Sequence, residues 1–115
     1  MEIQFYDVWY EFDEWENVFD EYNESADVHF SLSDGSRWCA SFFTYENLRS
    51  LVKKDAASGE CLGGRYFYAD KPIFIEKLDK ELILAVLRDI IGEYGNGVRD
   101  LPKVLSDIFT RVDEE

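Results

Sequence analysis

The strongest constraint on the fold is the alternation on either side of Asp34-Gly35. Before it, Ala26, Val28, Phe30 and Leu32 alternate with Asp27, His29, Ser31 and Ser33; after it, Trp38, Ala40 and Phe42 alternate with Arg37, Cys39 and Ser41. A two-residue period belongs to a strand with one buried face, and two such runs around a glycine turn form a hairpin. Loop length then decides which side chains share a face. A two-residue Asp34-Gly35 loop would pair Phe30 with Cys39 and Ser31 with Trp38, sending the two apolar rows to opposite faces. A three-residue loop, Ser33-Asp34-Gly35, pairs Phe30 with Trp38 and Val28 with Ala40, and gives Gly35 the left-handed position that glycine tolerates best. The longer loop is expected, with a core row of Val28, Phe30, Leu32, Trp38, Ala40 and Phe42.

The remaining elements follow from the same kind of reading. Residues 2 to 10 are rich in aromatic and β-branched types and read as a strand. Residues 11 to 24 lose the pattern and read as a long loop with one helical turn. Thr44 is a helix N-cap, with Glu46 in the first turn, and Tyr45, Leu48, Leu51, Val52 and Ala56 recur at helical spacing until Gly59. Gly59-Glu60-Cys61-Leu62-Gly63-Gly64 reads as a helix stop and a tight loop. Asp70-Lys71-Pro72 is a turn, and Ile73 to Lys77 a short strand. Asp79 caps a second helix in which Leu82 to Leu87, Ile90 and Ile91 leave little polar face, so it is expected to be the most buried element, ending at Gly92, Gly95 and Gly97. Leu101, Val104, Leu105, Ile108, Phe109 and Val112, with Pro102 near the start, predict a third, amphipathic helix. The expected fold is α+β: a mostly antiparallel sheet of about five strands, with three helices packed mainly on one face. A chain of 115 residues fits one domain, spanning 1–115.

Charge is distributed unevenly over this framework. The formal net charge is −13, yet the first 36 residues contain no lysine or arginine and hold 11 of the 25 carboxylates and 9 of the 19 aromatic residues. From Arg37 onward 14 acids stand against 12 bases, so the imbalance is local. Binding to nucleic acid or to an anionic membrane requires basic side chains facing phosphates, so neither is expected as a partner. No apolar run approaches a membrane span, and Met1-Glu2-Ile3-Gln4 does not resemble a signal peptide. The expected location is the cytoplasm, where Cys39 and Cys61 are reduced thiols.

No motif names a reaction. The single histidine, His29, sits between Val28 and Phe30 on a strand without a nucleophile placed beside it in sequence. The glycines near residue 95 follow a helix and do not open one after a strand, so they form no phosphate cradle. Two cysteines have no zinc spacing, and the acidic run lacks the glycine-bearing calcium loop. Neither catalysis, nor a metal, nor a cofactor is expected. What remains is the acidic–aromatic loop. Its aromatics can be core and its acids a solvated surface; alternatively, a one-signed segment holding Trp15 and Phe19 is suited to gripping a basic protein. On the second reading the contact residues are Asp13, Glu14, Trp15, Glu16, Asp20, Glu21 and Tyr22, with Glu11 and Glu24 at the rim.

Two stretches, Trp38-Cys39-Ala40-Ser41-Phe42-Phe43-Thr44-Tyr45-Glu46-Asn47-Leu48 and Gly59-Glu60-Cys61-Leu62-Gly63-Gly64-Arg65-Tyr66-Phe67-Tyr68-Ala69-Asp70, resemble segments of a family of small acidic bacterial proteins of uncharacterised function. The resemblance covers roughly residues 26 to 92. That family is associated with the immunity partners of secreted polymorphic or contact-dependent toxins. The resemblance implies a cytoplasmic, non-enzymatic protein that binds and neutralises a basic toxin domain, often a nuclease. It implies no catalytic residues. An alternative is a small bacterial regulatory or structural protein that self-associates through the sheet face bearing His29 and Arg37.

Overall fold

A computed structural model describes residues 5–95 and 101–112. The central hairpin takes the three-residue register: Val28 faces Ala40 and Phe30 faces Trp38. The Leu32 N–H donates to the Ser36 carbonyl at 2.8 Å and the Gly35 N–H to the Leu32 carbonyl at 2.9 Å, which leaves Ser33, Asp34 and Gly35 as the loop. Gly35 has φ +91°, a region that side chains with a Cβ avoid. Side chains close the turn as well. The Ser36 N–H and hydroxyl donate to Asp34 Oδ1 at 2.9 and 2.6 Å, and Trp38 Nε1 donates to Ser36 Oγ at 2.8 Å. The two strands are β2 (Ser25–Leu32) and β3 (Arg37–Thr44).

Strand β1 (Phe5–Tyr10) lies antiparallel along β2, with a bulge between Tyr6 and Trp9 where Asp7 takes φ +53°. The extra residue keeps Tyr6 opposite Ser31 and Trp9 opposite His29, on the face away from the core, while Tyr10 faces Val28 on the core side. Residues 2–4 of the expected first strand lie outside the described residues. The other edge of β3 is shared. Strand β4 (Pro72–Ile75) pairs parallel with Ser41–Thr44, and β5 (Thr110–Arg111) pairs antiparallel with Trp38 and Cys39. The sheet therefore has five strands, mostly antiparallel, and with its helices the fold is α+β.

The parallel pairing of β3 and β4 requires a crossover. It is made by α1 (Tyr45–Ser58) and a short α2 (Glu60–Gly64). Thr44 caps α1 as its type predicts, its Oγ1 accepting the Asn47 N–H at 3.1 Å, and Gly59 ends α1 at φ +89°. The expected tight loop after Gly59 is instead a single left-handed turn. Cys61, Leu62 and Gly63 have φ of 50, 53 and 70°, and the turn is closed by Gly63 N–H to the Gly59 carbonyl and Arg65 N–H to the Cys61 carbonyl. Left-handed helix costs an ordinary residue about 1–2 kcal/mol, so the turn is short, and two of its five residues, with Gly59 before it, are glycine.

Asp79 caps α3 (Lys80–Gly95), its carboxylate accepting the Leu82 N–H at 3.0 Å. Ile83, Leu87 and Ile91 are buried, but Leu82, Leu84, Val86 and Ile90 are only partly so and Ala85 is exposed. The most buried element is thus the β2–β3 hairpin and not α3. A helix in the outer layer of a two-layer fold turns only one stripe toward the sheet, however apolar the rest is. The helix also runs through Gly92 instead of stopping there, and Gly97 lies outside the described residues.

Helix α4 (Leu101–Ile108) is shorter than the expected 101–112. Phe109 is fully buried, edge-on to Phe30 at 5.2 Å between ring centroids, and the chain then enters β5, with the Val112 N–H donating to the Arg37 carbonyl. The short β4 leaves the Trp38–Cys39 edge of β3 unpaired, and satisfying those backbone groups outweighs another helical turn. The core joins the hairpin row, each member 0–1% exposed, to Ile75, Leu78, Ile83, Leu87, Ile91, Leu105 and Phe109.

Candidate functional site

The acidic loop leaves the sheet where β1 ends and returns at the start of β2. Glu11–Glu14 form a single 3-10 turn, as expected of this segment. Three of its aromatic residues point inward: Phe12, Trp15 and Phe19 pack on one another with centroid separations of 5.0–6.3 Å and against the core. The loop is also tied down by its backbone. Thr44 Oγ1, already the cap of α1, accepts the Glu24 N–H at 3.1 Å, the Glu24 carbonyl accepts the Thr44 N–H, and the Glu21 carbonyl accepts the Leu78 N–H at 2.8 Å.

The nine candidate contact residues separate by role. Glu11 accepts the Asp27 N–H at 2.8 Å, capping β2 where β1 has departed. Asp13 pairs with Lys80 at 2.9 Å, both about half exposed, and such a pair is worth only about 0–1 kcal/mol. The apolar staples and backbone bonds hold the loop; the ion pair contributes little. Trp15 is partly buried in the staple, Tyr22 lies under Lys77 (5.5 Å to the ring centroid), and Asp20 accepts the Tyr22 N–H. Glu14, Glu16, Asp20 and Glu21 are exposed. Glu14, Glu16 and Glu24 rim a shallow groove of about 520 Å³ floored by Trp15 and Phe19, with Val18 fully exposed at its lip. Lys77 and Lys80, which lie against the loop, had no signal in its sequence.

The other face of the sheet collects polar chemistry in rows. Trp9, His29, Cys39 and Thr110 lie side by side, and next to them come Asp27, Ser41 and Pro72. His29 meets Trp9 edge-on at 5.0 Å. The Cys39 thiol, although across from His29, is pushed up to about 11 by burial and then by the negative charges of Asp27 and Glu11, so it stays protonated at neutral pH. Cys61 is also raised, first by partial burial and then by Asp55, which accepts its hydrogen bond. Neither thiol is poised as a nucleophile. Among the described residues no group of three His, Cys, Asp or Glu is arranged to hold a metal ion, and no helix is long and apolar enough to cross a membrane. Comparison with protein families, with curated proteins and with solved structures finds no match to this chain.

Proposed function

We propose that the chain is a non-enzymatic acidic binding module that neutralises a basic protein, and that the partner is a toxin domain, as the resemblance to immunity proteins suggests. The observation that carries this reading is the orientation of the loop. Phe12, Trp15 and Phe19 are packed inward, which leaves Glu14, Glu16, Asp20 and Glu21 exposed before any partner arrives, the first two beside the groove that Trp15 and Phe19 line. Pre-organised charges lose little entropy on binding and steer an oppositely charged partner. In this reading the acids stand in for the phosphates of a nuclease substrate, and the protein acts in the cytoplasm, where such a toxin does its damage.

Calorimetric titration with purified basic nuclease toxin domains over a range of salt concentrations tests the proposal. A cognate domain should bind with an affinity that falls as salt rises, and Glu14→Lys with Asp20→Lys should weaken it roughly tenfold or more and flatten the salt dependence. Unchanged affinity and salt response in the double variant would overturn the assignment to this loop. Growth of cells producing the toxin, rescued by the chain but not by the double variant, reads neutralisation directly.

A further inference from the structure

We propose that the open face of the sheet is a second docking surface for a basic protein segment, and that one arginine side chain of that segment seats in the cavity between Glu11, Asp27 and Asp70. The cavity measures about 340 Å³ and is lined chiefly by Glu11, Ser25, Asp27, Ser41, Phe43 and Asp70. Three carboxylates reach it from separate parts of the chain: the end of β1, the middle of β2 and the turn before β4. No lysine or arginine is among its lining residues. The hydrogen bonds on these acids leave much of their accepting capacity unused. Glu11 accepts the Asp27 N–H at 2.8 Å and Asp27 accepts the Ser41 hydroxyl at 3.0 Å, while each ionised carboxylate can accept about four. The Asp27 and Glu11 charges are also the ones that, after burial, hold the nearby Cys39 thiol protonated, so this face carries a negative field.

The geometry selects the kind of cation. The acids are not grouped closely enough to hold a metal ion, yet they border one cavity, which suits a broad, planar group with several divergent donors. An aromatic ring lines it on one side. Phe43 forms a wall, with Phe67 edge-on at 5.6 Å and Phe74 at 6.3 Å, and the Trp9–His29 pair occupies the neighbouring row. A guanidinium offers five donors for the carboxylates and stacks on rings, whereas an ammonium is compact and more strongly hydrated. Beyond the cavity, Trp9 and Phe74, in the rows on either side of Asp27 and Ser41, are each 39% exposed, and exposed aromatics are a feature that binding surfaces favour. The occupant is a basic partner and not a second copy of this chain, since a second copy would bring another net charge of −13 to a face that already repels it.

The test uses Nα-acetyl-arginine amide as the probe, titrated into the isotope-labelled chain and followed by NMR. Its neutral isostere, Nα-acetyl-citrulline amide, and Nα-acetyl-lysine amide serve as comparisons. The arginine probe should give saturable shifts centred on Asp27, Ser41 and Phe43, the lysine probe weaker ones and citrulline none. Asp70 is exposed, so Asp70→Asn leaves the sheet intact and should weaken arginine binding roughly tenfold. Glu14→Gln with Glu16→Gln should leave it unchanged. Shifts confined to residues 12–24, an equal response to lysine or citrulline, no saturable shift, or an Asp70→Asn variant that binds as well as the parent would each overturn the proposal. The inference shares with the proposed function the basic character of the partner and one residue, Glu11, at the border of the two surfaces. Because one assay reads Asp70 and the other reads Glu14 and Asp20, either can fail while the other stands.

Discussion

Trp38 carries a polar N–H into a core where its side chain is 1% exposed, and that group needs an acceptor. Ser36 supplies it and passes the hydrogen bond on to Asp34. Replacing Ser36 with Ala leaves the indole N–H unsatisfied and should cost about 1–3 kcal/mol in urea denaturation, whereas Ser36→Thr, which keeps the hydroxyl acceptor, should cost less. The chain of bonds also has a pH signature. Hydrogen bonds from the Ser36 side chain, and then from its backbone, hold the Asp34 carboxyl below its ordinary range. A depressed folded-state value means that the stabilisation is complete above the ordinary aspartate range, near pH 4, and is lost as pH falls through the lower folded value. The stability difference between the parent and Asp34→Asn should therefore shrink in acid. The core row was legible at this scale because alternation with a fixed loop length dictates which residues meet. The Ser36 bridge was not, because nothing in the pattern distinguishes it from any other turn serine.

At the scale of elements, local signals are legible in the sequence and non-local ones are not. Thr44, Gly59 and Asp79 act where their types act in isolation, so the starts of α1 and α3 and the end of α1 were visible. The end of α4 was not. It depends on a vacancy beside Trp38 and Cys39 that exists only because β4 is short and pairs farther along β3. The left-handed turn was hidden for a different reason: its glycines are those any loop would use. Their surroundings differ, however. A Cβ at Gly63 would meet nothing within 4 Å, while one at Gly64 would lie 2.6 Å from the Val52 carbonyl oxygen of α1. Both positions have positive φ, so Gly63→Ala should cost about 1–2 kcal/mol from backbone strain alone. Gly64→Ala should cost clearly more and should speed hydrogen exchange in the second half of α1, where the turn can no longer dock.

Over the whole molecule, a net charge of −13 works against compactness, and much of it sits on a loop held against the sheet by aromatic residues. Raising sodium chloride from about 10 mM to 0.5 M shortens the screening length from about 30 Å to a few ångströms. The melting temperature should rise by roughly 2–5 °C, and less in a variant with Glu14, Glu16 and Glu21 changed to Gln. The acids of the candidate site were plain in the sequence, but their division of labour was not. Asp13 finds its partner 67 residues away at Lys80, and Glu11, Asp27 and Asp70 meet only because three segments converge on one end of the sheet. The strand that completes that sheet has a consequence for how the protein is made. Thr110 and Arg111 are translated after the other described strands of the sheet, so a nascent chain carries β3 with bare backbone beside Trp38 until they arrive. During that interval the bare edge is of the kind that templates pairing with a neighbouring chain, a hazard that the pairing of β5 removes.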